Sequence, residues 1–261
     1  MPDVGSLEAH LRERRDAGRK LLVPYVTGGL GPDWTEVVRA YAAAGADAIE
    51  VGIPFSDPVM DGPTIQQASE VALEQGANLG AILDALRDVD AGVPLVVMTY
   101  VNLAFHAGYQ RFASEAVAAG VTGVILPDLP MEEVGEWEPH ARAAGLATVQ
   151  LASPLTPDDR PAVLCGRSQG FVYGVNLLGV TGERTELAES STVLAKRLKA
   201  TTDLPVVMGF GIATPDHARA ATVHADGVVV ASALMRLRLD GAAPEDLGDV
   251  VVGFREALDR A

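Results

Sequence analysis

Glu50 sits inside the apolar run Ala48-Ile49-Glu50-Val51-Gly52, and a second acid, Asp61, lies in the loop that follows, Gly52-Ile53-Pro54-Phe55-Ser56-Asp57-Pro58-Val59-Met60-Asp61-Gly62-Pro63. A carboxyl group among apolar side chains is partly dehydrated. That penalises its charged form and raises its pKa toward the range useful for proton transfer. Two carboxyls in different environments, one buried and one on a loop, can hold one acid and one base at neutral pH. Two plainer readings stand beside this one. Glu50 could be the partner of a structural arginine, and the loop, with its three prolines, could be a run of ordinary turns.

A second group of residues suits an anion. Gly209-Phe210-Gly211-Ile212 follows one apolar run, and Ala231-Ser232-Ala233 follows another and opens a short helix predicted over 233–239. Glycines let backbone N–H groups approach phosphate oxygens, a helix start adds its dipole, and Ser232 adds a hydroxyl. Gly179-Val180-Thr181-Gly182 would complete the cradle. The alternative is that these glycines only permit tight turns. The polar segment 182–191 lacks a strand or helix pattern and reads either as a lid over the phosphate, with Thr181 near its hinge, or as an exposed loop. Other chemistries lack candidates. The lysines Lys20, Lys196 and Lys199 lie away from strand ends, which leaves no Schiff-base lysine. His10, His106, His140, His217 and His224 show no ligand spacing, so no metal is expected. Cys165 ends a helix-like segment and reads as a small packing residue.

The elements that must position these residues repeat along the chain. Eight short runs rich in Val, Leu and Ile occupy 21–27, 48–53, 95–100, 121–127, 147–152, 170–175, 204–209 and 226–231. They alternate little between apolar and polar, as strands buried on both faces do. Ala-rich amphipathic segments separate them, at 35–44, 65–74, 79–89, 109–119, 133–144, 158–165, 193–200 and 215–221. Gly45, Gly120 and Gly145 stop helices before the next strand, and Pro157 and Pro215 sit at helix starts. Eight strand–helix units in a chain of 261 residues predict a (β/α)8 barrel forming a single domain over 1–261. An open doubly wound sheet is the rival, but the turn after the first run, Gly28-Gly29-Leu30-Gly31, has the wrong spacing for the dinucleotide fingerprint. In a barrel the reactive face is the C-terminal rim of the strands. Polar groups at or just past strand ends are Glu50, Asp57, Asp61, Tyr100, Asn102, Asp128, Tyr173, Asn176, Thr181 and Ser232.

Composition narrows the partners. With 35 Asp+Glu against 20 Lys+Arg, a formal charge of −15, the surface repels nucleic acid and anionic membranes, so neither is an expected partner. A phosphate would have to be held by backbone amides rather than by a basic field. One cysteine rules out an internal disulfide, the apolar runs are too short to span a bilayer, and residues 1–20 lack the apolar core of a signal peptide. The expectation is a cytoplasmic globular protein.

The stretch from Glu50 to Gln66, EVGIPFSDPVMDGPTIQ, resembles the signature of the tryptophan synthase alpha subunit family. The likeness continues through Tyr100-Val101-Asn102, Pro127-Asp128-Leu129-Pro130, Phe171-Val172-Tyr173, Gly179-Val180-Thr181-Gly182 and Gly209-Phe210-Gly211-Ile212, in order and across essentially the whole chain. It implies a TIM barrel and retro-aldol cleavage of indole-3-glycerol phosphate to indole and glyceraldehyde 3-phosphate, with no metal and no organic cofactor in this subunit. The family's catalytic acids fall on Glu50 and Asp61, and its active-site tyrosine falls on Tyr173. Its phosphate contacts fall on Gly182, Phe210, Gly211, Ala231 and Ser232, and its indole pocket on Tyr25, Met98, Tyr100, Ile125, Leu151 and Phe210. Asp57, Pro58, Asn102 and Pro130 would face a pyridoxal-phosphate beta subunit in an alpha2beta2 assembly. Ala231 stands where the family usually has glycine. The resemblance leaves a stand-alone indole-3-glycerol-phosphate lyase as the alternative. The absent rim lysines and histidines argue against a related synthase or epimerase.

Overall fold

The apolar runs form strands because each can bury both faces, one inside a ring of its neighbours and one beneath a helix. The computed structural model describes residues 6–175, 184–209 and 211–261, with residues 184–189 described by backbone alone. The strands are β1 (Leu21–Thr27), β2 (Ile49–Gly52), β3 (Leu95–Met98), β4 (Val121–Ile125), β5 (Ala147–Ala152), β6 (Val172–Gly174), β7 (Val206–Met208) and β8 (Gly227–Val230). They pair in parallel in sequence order, and β8 returns to β1 with Leu21 opposite Gly227, which closes the barrel. The (β/α)8 expectation holds. A doubly wound sheet would leave two edges, and this sheet has none.

The helices are α1 (Ser6–Asp16), α2 (Trp34–Ala43), α3 (Pro63–Glu74), α4 (Leu79–Leu86), α5 (Val101–Ala107), α6 (Tyr109–Ala118), α7 (Glu138–Ala144), α8 (Pro161–Arg167), α9 (Arg184–Thr201), α10 (Pro215–Thr222), α11 (Ser232–Leu239) and α12 (Pro244–Leu258). Gly145 ends α7 at φ +86, a conformation that would strain a side chain. Thr214 caps α10 by accepting the His217 N–H, ahead of Pro215 at the first turn.

Three helices escape the sequence pattern. α1 carries only Leu7 and Leu11 as buried residues, an i, i+4 pair amid charges. Both are fully buried and plug the N-terminal end of the barrel, each worth roughly 1.5–3 kcal/mol of apolar burial. The plug fits because a Cβ at Gly123 or Gly170 would come within 2.7 or 2.6 Å of the Leu7 side chain. α5 follows β3 directly and has the weak helix formers Val101 and Asn102 in its first turn. α12 lies against α2 and α10 and buries Leu247, Val251, Phe254 and Leu258.

The expectation that 182–191 lacks a helix needs correction. Residues 184–191 belong to α9, which runs to Thr201. The run Glu186-Leu187-Ala188-Glu189 consists of good helix formers, and helix propagation adds a hydrogen bond per residue once a turn exists. The predicted hinge Thr181, with Gly182, lies outside the described residues.

Candidate active site

The register sets the predicted side chains against one another on neighbouring strands. Tyr25 of β1 lies opposite Glu50 of β2, Met98 of β3 opposite Ile125 of β4, and Leu151 of β5 opposite Tyr173 of β6. Tyr25, Glu50, Ile125 and Tyr173 are buried, whereas Met98 and Leu151 are half-buried. Two glycines make room for the rings. A Cβ at Gly52 would stand 2.7 Å from Tyr25 Cε2, and one at Gly209 would stand 2.6 Å from Tyr173 Cε2.

Glu50 is 1% exposed, and its Oε2 has no hydrogen-bond partner among the described residues. Burial, reinforced by the nearby Asp61 carboxylate, raises its pKa to about 8, against a smaller downward pull from a hydrogen bond with Tyr173. The structural-arginine reading of Glu50 therefore finds no support among the described residues: what surrounds it is an acid and a phenol. A carboxyl group in this setting is mostly protonated at neutral pH, with a proton to deliver.

Asp61 comes from the loop after β2 and is half-buried. Burial raises its pKa to about 6, and a hydrogen bond from Tyr100 acts in the opposite direction. The Tyr100 hydroxyl donates to Asp61 Oδ2 at 3.1 Å and accepts the Met60 N–H at 2.9 Å. The Tyr100 ring stacks on Phe55, with centroids 4.9 Å apart. Gln66, from the first turn of α3, donates its amide to the Asp61 carbonyl at 2.9 Å. The loop is thus a held structure whose carboxylate is mostly ionised at neutral pH, and the plain-turn reading does not account for these ties.

Sequence reasoning missed Phe55, the Met60 amide and Gln66. Phe55 and Gln66 fall inside the quoted motif, but nothing local says that they reach Tyr100 or Asp61. It noted Asp128 as a polar strand end and within the motif Pro127-Asp128-Leu129-Pro130, without a contact. Asp128 accepts the Val101 N–H at 2.8 Å.

The predicted phosphate residues divide. Gly182 and Phe210 lie outside the described residues. Gly211 is exposed at φ +52, where a side chain would be strained although no described residue comes within 4 Å of a Cβ there. Ala231 is the N-cap of α11, and Ser232, exposed, is its first residue, one position earlier than predicted. Met208 of β7 pairs with Val228 of β8, so both segments leave adjacent strands at the same rim. Of the predicted partner-face residues, Asp57, Asn102 and Pro130 are exposed and Pro58 is half-buried. Val59, Phe105 and Leu155 are exposed apolar side chains on rim segments that follow β2, β3 and β5. Among the described residues no group of three His, Cys, Asp or Glu gathers within metal-binding reach, and no helix is long and apolar enough to cross a membrane.

A family model described as tryptophan synthase alpha chain matches residues 11–246. A tryptophan synthase alpha chain of Acidiphilium cryptum is 42% identical over 269 aligned positions, covering 99% of this chain and 97% of its own length. That of Xanthomonas euvesicatoria is 44% identical, covering 97% and 98%. Among solved structures, Mycobacterium tuberculosis tryptophan synthase superposes with a TM-score of 0.90 at 34% identity, over 98% of this chain and 99% of that one. Tryptophan synthase subunit alpha of Legionella pneumophila superposes with a TM-score of 0.87 at 32% identity, over 98% of both.

Proposed function

The chain belongs to the tryptophan synthase alpha chain family, and we propose that Glu50 and Asp61 are the acid–base pair with which it cleaves indole-3-glycerol phosphate. Membership makes it an alpha subunit of tryptophan biosynthesis, a lyase with a beta-subunit partner, and speaks against the stand-alone lyase. The observation that carries the proposal is a fully buried Glu50 whose Oε2 has no partner among the described residues, with its pKa pushed up by burial and by the Asp61 carboxylate.

An aryl carbanion is a poor leaving group. Protonation of indole C3 gives an indolenine whose positive nitrogen can take the electrons of the C–C bond. Glu50, protonated, delivers that proton to C3. As the carboxylate it then takes the proton of the glycerol 3′-hydroxyl. The O–H electrons form the aldehyde of glyceraldehyde 3-phosphate, the C–C bond breaks, and its electrons restore the indole ring. Glu50 ends protonated, ready for the next turn. Asp61 stays ionised and accepts a hydrogen bond from the indole N–H, where positive charge develops. Tyr173 orients the Glu50 carboxyl. Tyr25, Met98, Tyr100, Ile125, Leu151 and Phe210 hold the flat ring and exclude water, which strengthens both charge interactions. Gly182, Phe210, Gly211, Ala231 and Ser232 bind the phosphate. Asp57, Pro58, Asn102 and Pro130 meet a beta subunit in an alpha2beta2 assembly.

The decisive experiment assays the purified chain on indole-3-glycerol phosphate, with and without a beta subunit, as a function of pH. The expected kcat/KM profile is a bell with an acid limb near 6, where Asp61 must be ionised, and an alkaline limb near 8, where Glu50 must be protonated. Cleavage that is absent under both conditions overturns the proposal.

A further inference from the structure

Asp128 takes no part in the proton transfers, yet it is joined to them by two hydrogen bonds and one peptide unit. It follows β4, and its Oδ1 accepts the Val101 N–H at 2.8 Å, from a part-buried position 27 residues away. Val101 opens α5, whose first N–H groups need partners outside the helix. The N-cap residue, Tyr100, supplies no side-chain cap. Its phenol is engaged elsewhere, on Asp61 Oδ2, on the Met60 N–H and against the Phe55 ring. The first free donor of α5, the Val101 N–H, is therefore satisfied by the next β/α unit.

Gln66 of α3 holds the Asp61 carbonyl, but the side chain of Asp61 has another support. Ser56, Asp57 and Val59 are exposed, and the loop's described ties to the barrel wall itself run through Ile53, whose N–H meets the Met98 carbonyl, and through Tyr100. The Tyr100–Asp61 bond, at 3.1 Å, is already long for an O–H donor to a carboxylate, so a further shift of about half an ångström would break it.

Resting on the cleavage reading above, we propose that Asp128 is a positioning residue for the reaction: by holding the Val101 amide it fixes the peptide from which Tyr100 projects, and so keeps the phenol on Asp61 and on the Met60 N–H. The consequence is local and directional. Without Asp128 the start of α5 shifts, the phenol leaves Asp61, and the carboxylate loses both its placement against the indole N–H and the hydrogen bond that holds down its pKa.

The sign of the effect separates this role from simple charge removal. Among the described residues the groups electrostatically coupled to Asp61 are Glu50 of β2, Tyr25 of β1, Tyr173 of β6 and Tyr100 itself, and of these only Tyr100 also feels the charge of Asp128. Deleting the negative charge of Asp128 would by itself lower the Asp61 pKa. Losing the Tyr100 hydrogen bond raises it.

The test is the pH–rate profile of the complex with a beta subunit for Asp128→Ala, Asp128→Asn, Tyr100→Phe and the double variant Asp128→Ala/Tyr100→Phe. Asp128→Ala should lower kcat about tenfold while KM changes less than about threefold. Its acid limb should move up by about half a unit or more. Asp128→Asn, which keeps an acceptor oxygen without the charge, should fall between wild type and the alanine variant. In the Tyr100→Phe background the substitution should move the limb no further. If Asp128→Ala does not fold, Asp128→Ser, too short to span to Val101, replaces it with the same expectations. An acid limb that stays or moves down, or an undiminished effect in the Tyr100→Phe background, overturns the proposal. A wild-type complex that does not cleave indole-3-glycerol phosphate overturns the function reading instead.

Discussion

Asp47 and Glu50 are three residues apart in sequence and each is 1% exposed, yet the two ends of the barrel surround them with opposite chemistry. At the N-terminal end Asp47 is saturated. Arg19 Nε donates to one oxygen at 2.7 Å, while Arg255 Nη1 at 3.0 Å and the Leu22 N–H at 2.9 Å donate to the other. Those donors tie the start of β1 to α12. At the C-terminal end Glu50 has an oxygen without a partner among the described residues, and a phenol and a second acid nearby. Burial of a carboxyl group therefore does not mark a reactive site by itself. The partners do: one acid has its charge neutralised and its lone pairs filled, and the other is left able to exchange a proton.

The sharpest way to break this contrast is to neutralise each acid in turn. Glu50→Gln should lower turnover by roughly 10²–10⁴-fold without loss of fold, measured as kcat beside a thermal melt. Asp47→Ala should do the reverse. It leaves Arg255, whose side chain is 8% exposed, with Asp259 at 2.6 Å in place of two carboxylates, and should cost roughly 1.5–3 kcal/mol in denaturant unfolding while turnover per folded molecule is kept. Equal losses of activity from both would remove the distinction.

Stability against pH sharpens the same comparison. The Glu50 pKa is about 8 in the fold against 4.5 as the ordinary value, so between those pH values the folded chain holds a proton that the unfolded chain has lost. Unfolding then releases a proton, and stability falls as pH rises through that window, with the full cost present above about 8. Glu50→Gln should remove this part of the slope and leave that of Asp61, itself raised from 3.8 to about 6, so its stability advantage over wild type grows to roughly 3–5 kcal/mol at the alkaline end. Unfolding titrations at several pH values check this, and a parallel pair of curves would contradict the burial of the Glu50 charge.

The smallest expected effect lies at the anion end of the site. Ser232 is exposed at the first position of α11, so Ser232→Ala removes one hydroxyl while the backbone amides remain. KM for indole-3-glycerol phosphate should rise about threefold to tenfold with little change in kcat, consistent with the loss of one hydrogen bond to a charged group.

Much of the fold was legible because strand and helix periods are local. β1 and β5 occur where the apolar runs at 21–27 and 147–152 lie, and Gly145 stops its helix where predicted. α1 was not legible, because Leu7 and Leu11 are a faint apolar stripe until a barrel mouth exists to receive them. The stretch 184–191 was misread because polarity dominates its composition, whereas helix formation there follows backbone propensity. Within the site, Glu50 announced itself as an acid in an apolar strand and Asp61 by its loop. The Tyr100 bond to Asp61 joins residues 39 positions apart, and no spacing rule reaches that far.

The sequence alone determined that this chain alternates eight strands with helices, that its acids Glu50 and Asp61 fall at one rim, and that the run from Glu50 to Gln66 carries a family signature. Only the tertiary structure decided which buried acid is paired with arginines and which is set beside a phenol and a second acid. Closing the barrel brings Arg19 and Arg255 to Asp47, and Tyr173 with Asp61 to Glu50. An ionisation depends on distances to groups remote in the chain, and those distances do not exist until β8 has met β1.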